Sequence, residues 1–185
     1  MSQKPKAKET RYNGYLFRSR LEARWAVFFD TLGAEYYYEA EGYEVDTGIR
    51  YLPDFMLPAS NMVLEVKPDT TYGSREEVEN AVTKITSFAR TYLRKNPEKG
   101  YVVSRGLPRL DPYAFLLIWN EELGQVIIDQ NAYLIQCHCK KLPYHFGATV
   151  VPDAVTRLDL SADTLKLVTT PELKKAYERA KSYQF

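Results

Sequence analysis

The chain has 185 residues, with 45% apolar and 26% charged residues, which is the composition of a globular domain with its own core. Its apolar runs are far too short to cross a bilayer, and no apolar stretch follows the N-terminal charges, so we expect neither a membrane segment nor a secretory signal. Cys137 and Cys139 are too close together for an ordinary structural disulfide and favour a reducing cytoplasm.

The net charge of +1 conceals an uneven distribution along the chain. Residues 1–24 carry seven Lys/Arg and two acids, residues 25–79 carry three and twelve, residues 80–110 carry seven and one, and residues 111–185 carry eight and nine. A nuclease needs carboxylates for metal and cations around them for phosphates, which would give this pattern. Ordinary solvated surface charge would give it equally well.

The N-terminal third predicts a helix followed by a hairpin. Residues 12–16 predict an extended lead-in, and residues 17–32 predict a helix because apolar side chains recur every three or four positions before Gly33, a natural stop. The tyrosine-rich residues 35–45 predict one strand, and residues 51–57 predict a second.

The third predicted strand, Met62–Lys67, follows a turn at residues 58–61 and pairs with the second as a hairpin. Leu64 and Val66 should lie on one face of it, opposite Glu65 and Lys67.

A capping box, Ser74 with Glu77, begins the second predicted helix, and the helix ends near residues 96–97. Its apolar stripe consists of Val78, Val82, Ile85, Ala89 and Leu93. A fourth strand follows at residues 100–104, and the strand–helix–strand order predicts that it lies parallel to the third.

The rest of the chain predicts a hairpin over residues 113–119 and 125–128, irregular structure over 129–170, and a helix over Pro171–Ser182. We therefore divide the chain into a flexible N-terminus (1–11), a core (12–110) and a C-terminal extension packed on the core (111–185).

Two carboxylates and a lysine are predicted to meet where the second and third strands pair. Glu65 and Lys67 share a face, roughly 7 Å apart along the strand, and Asp54 can reach that face from its neighbour. Carboxylate oxygens bind hard cations such as Mg²⁺, and the backbone carbonyl of Val66 could add a ligand. A metal-bound water can act as a nucleophile, and Lys67 can orient it or stabilise charge on an attacked phosphate.

A further carboxylate, Glu22, lies at the edge of the apolar stripe of the first predicted helix and should point toward the sheet. It needs a partner there, either Arg18 one turn earlier or a metal ion. The other residues also have ordinary alternatives. Glu65 and Lys67 could form an exposed cross-strand charge pattern, and Asp54 could be a turn residue that follows a proline.

Other charged residues extend this site or compete with it. Glu39 and Glu41 share a face of the tyrosine-rich strand and either enlarge the acidic site or form structural pairs. Arg18, Arg20 and Arg24 lie near the helical glutamate and either bind phosphates flanking the scissile bond or pair with nearby acids.

Two groups are weaker candidates. The second predicted helix has a basic outer surface, interpreted as solvated charge, formed by Lys84, Arg90, Arg94 and Lys95. Cys137, Cys139 and His145 suggest zinc, but C-x-C is tighter than the usual ligand spacing and no second pair exists. Two small half-buried cysteines on a strand fit this segment better.

Several segments resemble the PD-(D/E)XK nuclease superfamily, especially its small phage-associated endonucleases, which share a helical Glu with phage-type Holliday-junction resolvases and transposase-partner nucleases. The segments are residues 17–30 (FRSRLEARWAVFFD), 38–43 (YEAEGY), 51–58 (YLPDFMLP) and 64–68 (LEVKP), and residues 170–180 are similar to the closing helix of those proteins. The resemblance is dense over residues 12–68, looser to about 105 and faint over 106–169.

The resemblance implies an α/β, restriction-endonuclease-like core, in which helices flank a central mixed sheet. It implies metal ligation by Asp54 and Glu65, catalytic support from Lys67, a second acidic contact from Glu22, and hydrolysis of nucleic-acid phosphodiesters with Mg²⁺ or Mn²⁺.

We therefore predict a DNA endonuclease, encoded by a phage or another mobile element and acting in the cytoplasm of a bacterial host. The alternative is a nuclease-fold DNA-binding or partner-binding subunit of a recombination, transposition or anti-defence complex, with residues 106–169 as its interface. Two-strand cutting needs two sites, which favours a homodimer. Whether the substrate is a junction, flap, nick, linear duplex or RNA stays open.

Overall fold

A computed structural model of the chain describes residues 7–45, 48, 50–69, 74–108, 114–132, 134–136, 146–148 and 171–185. The predicted zinc ligands Cys137, Cys139 and His145 lie outside the described residues, as does much of the predicted interface at 106–169.

The described chain begins with an antiparallel hairpin of β1 (Thr10–Tyr12) and β2 (Tyr15–Phe17). The prediction that a helix begins at residue 17 is wrong, because Phe17 pairs with Thr10 in this hairpin. Phe17 is nevertheless fully buried in the core. Its position four residues before Leu21 fits the helical spacing by coincidence, because its burial comes from the strand.

The first helix, α1 (Arg20–Leu32), begins and ends at conventional caps. The Ser19 side chain accepts a hydrogen bond from the Glu22 backbone N–H, which satisfies one of the free donors of the first turn. At the other end Gly33 is left-handed, with φ of 67°, and its N–H bonds back to the Asp30 and Phe29 carbonyls. The predicted stop at Gly33 is confirmed.

Four short strands follow α1: β3 (Tyr37–Tyr38), β4 (Tyr43–Glu44), β5 (Arg50–Tyr51) and β6 (Phe55–Leu57). The predicted continuous strands at 35–45 and 51–57 are therefore wrong. Glu39 adopts a left-handed φ of 46° that ends β3, and β4 leaves to pair with β5 in a small separate sheet. The tyrosine-rich pattern indicates extended backbone without showing where the chain changes partners.

The strand–helix–strand prediction is confirmed. It consists of β7 (Met62–Lys67), α2 (Arg75–Lys95) and β8 (Gly100–Arg105), and β7 pairs parallel with β8. Both hydrogen bonds of the capping box between Ser74 and Glu77 are present.

The C-terminal part adds β9 (Ala114–Asn120) and β10 (Gln125–Ala132) as an antiparallel hairpin, followed by the β11 (Leu134–Gln136) and β12 (Phe146–Ala148) pair. The prediction of irregular structure from residue 129 onward is wrong for these strands. The predicted C-terminal helix is confirmed as α3 (Pro171–Ser182).

A mixed six-stranded sheet in the order β10-β9-β8-β7-β6-β3 forms the centre of the protein, with helices on both faces. One face carries Leu64, Val66 and Val102, which pack with α1 and α3. The other carries Val63, Tyr101 and Val103, which pack with α2. Because β9 and β10 continue this sheet, the predicted C-terminal extension shares a sheet with the predicted core. No described helix is long and apolar enough to cross a membrane.

Only the second half of α2 packs on the sheet. Ala89 and Leu93 of the predicted apolar stripe are fully buried, whereas Val82 is 53% exposed. The first half of the helix thus extends beyond the edge of the core, and the predicted apolar stripe is buried only over the second half. Helical periodicity identifies the apolar face of a helix, but it does not reveal where the opposing sheet ends.

One residue, Gly106, ties the ends of the two parallel strands to α1. The Gly106 N–H donates to the Lys67 carbonyl at 2.7 Å, and its own carbonyl accepts from the Trp25 indole N–H at 3.0 Å. Gly106 has φ of 77°, which disfavours any other residue, and a Cβ there would also lie only 3.1 Å from the Asp69 Cβ.

Candidate active site

Two buried carboxylates face each other at the centre of the sheet. The antiparallel register of β6 and β7 pairs Phe55 with Leu64, and continuing it by one residue places Asp54 opposite Glu65. Asp54 is 8% exposed and Glu65 is 4% exposed. The interpretation of Glu65 as part of an exposed charge pattern is therefore wrong.

Asp54 is fixed by the backbone of the neighbouring strand and perturbed by its surroundings. Its Oδ2 accepts a hydrogen bond from the Val66 N–H at 2.7 Å. Burial and, after it, the negative charges of Glu65 and Glu22 raise the pKa of Asp54, and the Val66 N–H and Lys67 act in the opposite direction, with a net pKa of about 8. The repulsion between these carboxylates is the kind that a bound cation relieves.

Lys67 lies on the same face of β7 as Glu65, and its Nζ forms an ion pair with Glu65 Oε1. Burial by itself would lower the pKa of Lys67, but the adjacent Glu65 carboxylate outweighs it and the pKa is raised. The ammonium group therefore stays protonated at neutral pH, and it is suited to stabilising negative charge and unsuited to accepting a proton.

The second oxygen of Glu65, Oε2, is buried and is not the one that pairs with Lys67. It has no hydrogen-bond partner of normal geometry among the described residues, although the Tyr51 hydroxyl lies close enough to this carboxylate to interact with it. Two phenols lie near this carboxylate: the Tyr51 and Tyr101 hydroxyls are 2.6 Å apart, and burial followed by the Glu65 charge raises the pKa of Tyr51. An unpaired buried carboxylate oxygen costs free energy unless a ligand occupies it.

Glu22 is held by three protein donors. Its Oε2 accepts from the Tyr38 hydroxyl at 2.6 Å and from the Arg18 N–H at 3.1 Å, and its Oε1 accepts from the Ser19 hydroxyl at 2.6 Å. The alternative of an ion pair with the Arg18 side chain is wrong, because the Arg18 guanidinium binds Glu39 Oε1 at 2.7 Å instead. This network fixes the Glu22 charge near Asp54, whose pKa it helps to raise.

The three candidate arginines fall into different environments. Arg18 is 61% exposed despite its ion pair, and Arg20 is exposed. Arg24 donates to the carbonyls of Ala180 and Lys181 at the end of α3. Cations at this end of a helix satisfy its free carbonyls, so Arg24 joins the two helices.

The two secondary acids are likewise separated. Glu39 pairs with Arg18, and burial raises its pKa in spite of that pair. Glu41 is exposed and accepts from the Tyr43 hydroxyl at 2.8 Å. Of the two, only Glu39 enters the network around Glu22.

Asp54 and Glu65 are the residues best placed to hold a metal ion. They offer carboxylate oxygens, the ligands that Mg²⁺ and Mn²⁺ prefer, and the free Glu65 Oε2 supplies an unsatisfied one. Within the described ranges, no group of three or more His, Cys, Asp and Glu side chains is arranged around a common metal position. The pair would therefore need water or backbone oxygens to complete a coordination shell.

Sequence reasoning missed the tyrosines of the site. Tyr38 orients Glu22, and Tyr51 with Tyr101 lies beside Glu65. The signal that could have found them is a tyrosine on a strand that carries a site carboxylate, or on a strand that neighbours such a strand. Ser19, three residues before Glu22, was a readable capping signal as well.

The fold and site together define an α/β protein in which helices flank a mixed six-stranded sheet and two buried carboxylates and a lysine meet at the sheet's centre. Comparisons of the chain with protein-family models, curated proteins and solved structures find no match in any of the three.

Proposed function

We propose that this protein is a metal-dependent endonuclease of the PD-(D/E)XK type that hydrolyses DNA phosphodiester bonds. The observation that carries the proposal is the buried Asp54 opposite Glu65, with Lys67 next to Glu65 on the same face of a central strand. The order Asp, Glu-x-Lys across two adjacent antiparallel strands is that of the superfamily motif.

In this proposal Asp54 and Glu65 hold Mg²⁺ or Mn²⁺, and the Val66 carbonyl is a further candidate ligand. The bound metal supplies a water of lowered pKa and an electrophile for a phosphate oxygen. Lys67 stabilises the charge that develops on the attacked phosphate, because its raised pKa keeps it cationic. The Asp54 carboxylate must be ionised to bind, so metal affinity should rise with pH up to about 8.

Glu22 contributes a fixed negative charge next to the metal-binding pair. Since both of its oxygens accept hydrogen bonds from protein donors, we propose a contact to the metal through water. Arg18 and Arg20, exposed at the start of the same helix, would bind phosphates that flank the scissile bond. Arg24 is left out of this role because its Nη1 donates to two carbonyls of α3.

The test is cleavage of branched, nicked, linear and single-stranded DNA in Mg²⁺ and in Mn²⁺. Wild type should cut at least one of them, and Asp54→Asn, Glu65→Gln and Lys67→Ala should each lower the rate by 10²-fold or more, the order of magnitude for loss of an electrostatic catalytic group.

Glu178→Gln is the matched control, since Glu178 is exposed on α3 and should leave the rate unchanged. Absence of cleavage of every DNA by wild type, or wild-type rates in the three site variants, would overturn the proposal. Thermal unfolding with and without Mg²⁺ separates loss of metal binding from loss of fold.

A further inference from the structure

A cleft of about 320 Å³ adjoins the site on the α2 side of the sheet. One wall carries Lys67 and Tyr51, and the other carries Asn80, Lys84 and Ile85 from the first half of α2. Lys67 thus belongs both to the site and to the cleft. The cleft exists because this half of α2 extends past the core with its side chains exposed.

Lys84 is exposed, and it forms no ion pair with any other residue that the structure describes. The cleft also contains Glu77, but that carboxylate is committed to its helix, where Oε2 accepts from the Ser74 N–H at 2.7 Å. Asn80 lies one helical turn before Lys84, so the two side chains project from the same face of α2.

We infer that this cleft seats the phosphate of a nucleotide next to the scissile bond, with Lys84 and Asn80 as positioning residues. The inference rests on the proposed nuclease function. The Lys84 ammonium and the Asn80 amide N–H face Lys67 across the cleft and can both donate to one phosphate. That phosphate would lie next to the scissile phosphate, whose charge Lys67 stabilises.

The size of the cleft restricts what enters it. Its volume is at the lower end of the roughly 300–1,000 Å³ of small-molecule pockets, which suits one nucleotide and is too small to hold both strands of a duplex. The substrate class is therefore DNA with an unpaired segment beside the cleavage position, such as a flap, a frayed end or a single strand.

The experiment measures kcat and KM of the full chain in Mg²⁺ on a single-stranded oligonucleotide and on a blunt duplex, between 50 and 200 mM salt. Lys84→Ala should raise KM for the single strand severalfold with kcat nearly unchanged. It should also reduce the slope of log(kcat/KM) against log[salt] by about 0.7, the contribution of one phosphate contact on a single strand. Asn80→Ala should raise KM to a smaller extent, and Lys84→Arg should restore it.

Lys95→Ala is the control, because Lys95 is the same residue type on the same helix, about 16 Å further along its axis. It should behave like wild type. If wild type is active and Lys84→Ala changes neither its KM nor its salt slope, this inference is wrong and the proposed function stands. If Lys84→Ala has the same effect on duplex and on single strand, the assignment of an unpaired segment to the cleft is wrong. A wild type that cleaves nothing overturns the proposed function itself.

Discussion

Replacing Asp54 with asparagine removes the titratable proton of the buried carboxyl pair and keeps an oxygen that can accept from the Val66 N–H. The variant therefore resembles the protonated form of Asp54 in shape and hydrogen bonding. Comparing it with wild type isolates the free-energy cost of ionising Asp54 inside the folded protein.

The size of the pH-dependent change in stability follows from the pKa of Asp54. Asp54 has its pKa raised from 3.8 to about 8, so the folded protein holds this proton more tightly than the unfolded chain. The stabilising contribution is fully present below pH 3.8 and is lost progressively as the pH rises toward 8. At 1.36 kcal/mol per pH unit, the folded state loses about 3 kcal/mol of stability between pH 5 and pH 7 from this group alone.

Urea unfolding in EDTA at pH 5 and pH 7 measures this loss. Wild type should lose about 3 kcal/mol more than Asp54→Asn over that interval, and Mg²⁺ at pH 7 should raise the unfolding midpoint of wild type only. Glu178→Gln, on the exposed face of α3, should follow wild type. The same pH dependence in wild type and Asp54→Asn would refute the reasoning.

Three further substitutions test the surroundings of the site by urea unfolding. Ser19→Ala removes the cap of α1 and one hydrogen bond to Glu22 and should cost about 1 kcal/mol, whereas an unchanged midpoint would show that Glu22 is held without it. Tyr51→Phe leaves the buried Tyr101 hydroxyl without its 2.6 Å partner and should cost about 1–3 kcal/mol, so a neutral result would contradict the pairing. Val82→Ala should change stability by less than about 0.5 kcal/mol, because Val82 is 53% exposed, and a larger loss would mean that something covers this half of α2.

The elements that the sequence predicted well are those whose pattern depends on local spacing. β7 was predicted with its observed ends and faces, because alternating apolar and charged residues determine which side chains share a side. α2 was predicted from its capping box, and its parallel flanking strands followed from the crossover rule. The approach of Asp54 to Glu65 followed from the same alternation.

The parts that could not be predicted depend on contacts between distant residues. The Arg18 side chain binds Glu39, although the helical spacing offered it as a partner of Glu22. Glu22 instead accepts from Tyr38, Ser19 and the Arg18 backbone N–H. The division of residues 35–45 depends on the left-handed backbone of Glu39, which apolar periodicity does not encode. A sequence pattern lists the partners that are available, and the tertiary structure selects among them.

The two backbone hydrogen bonds of Gly106 limit how the site can move. They fasten the carbonyl of Lys67 and the Trp25 indole to one buried point where β7 and β8 end. The Gly106 N–H is buried and bonded to the Lys67 carbonyl, so its exchange with solvent deuterium should require the ends of β7 and β8 to separate. The backbone that carries Lys67 is therefore expected to be rigid. In the proposed nuclease, adaptation to different DNA shapes would then come from the exposed half of α2.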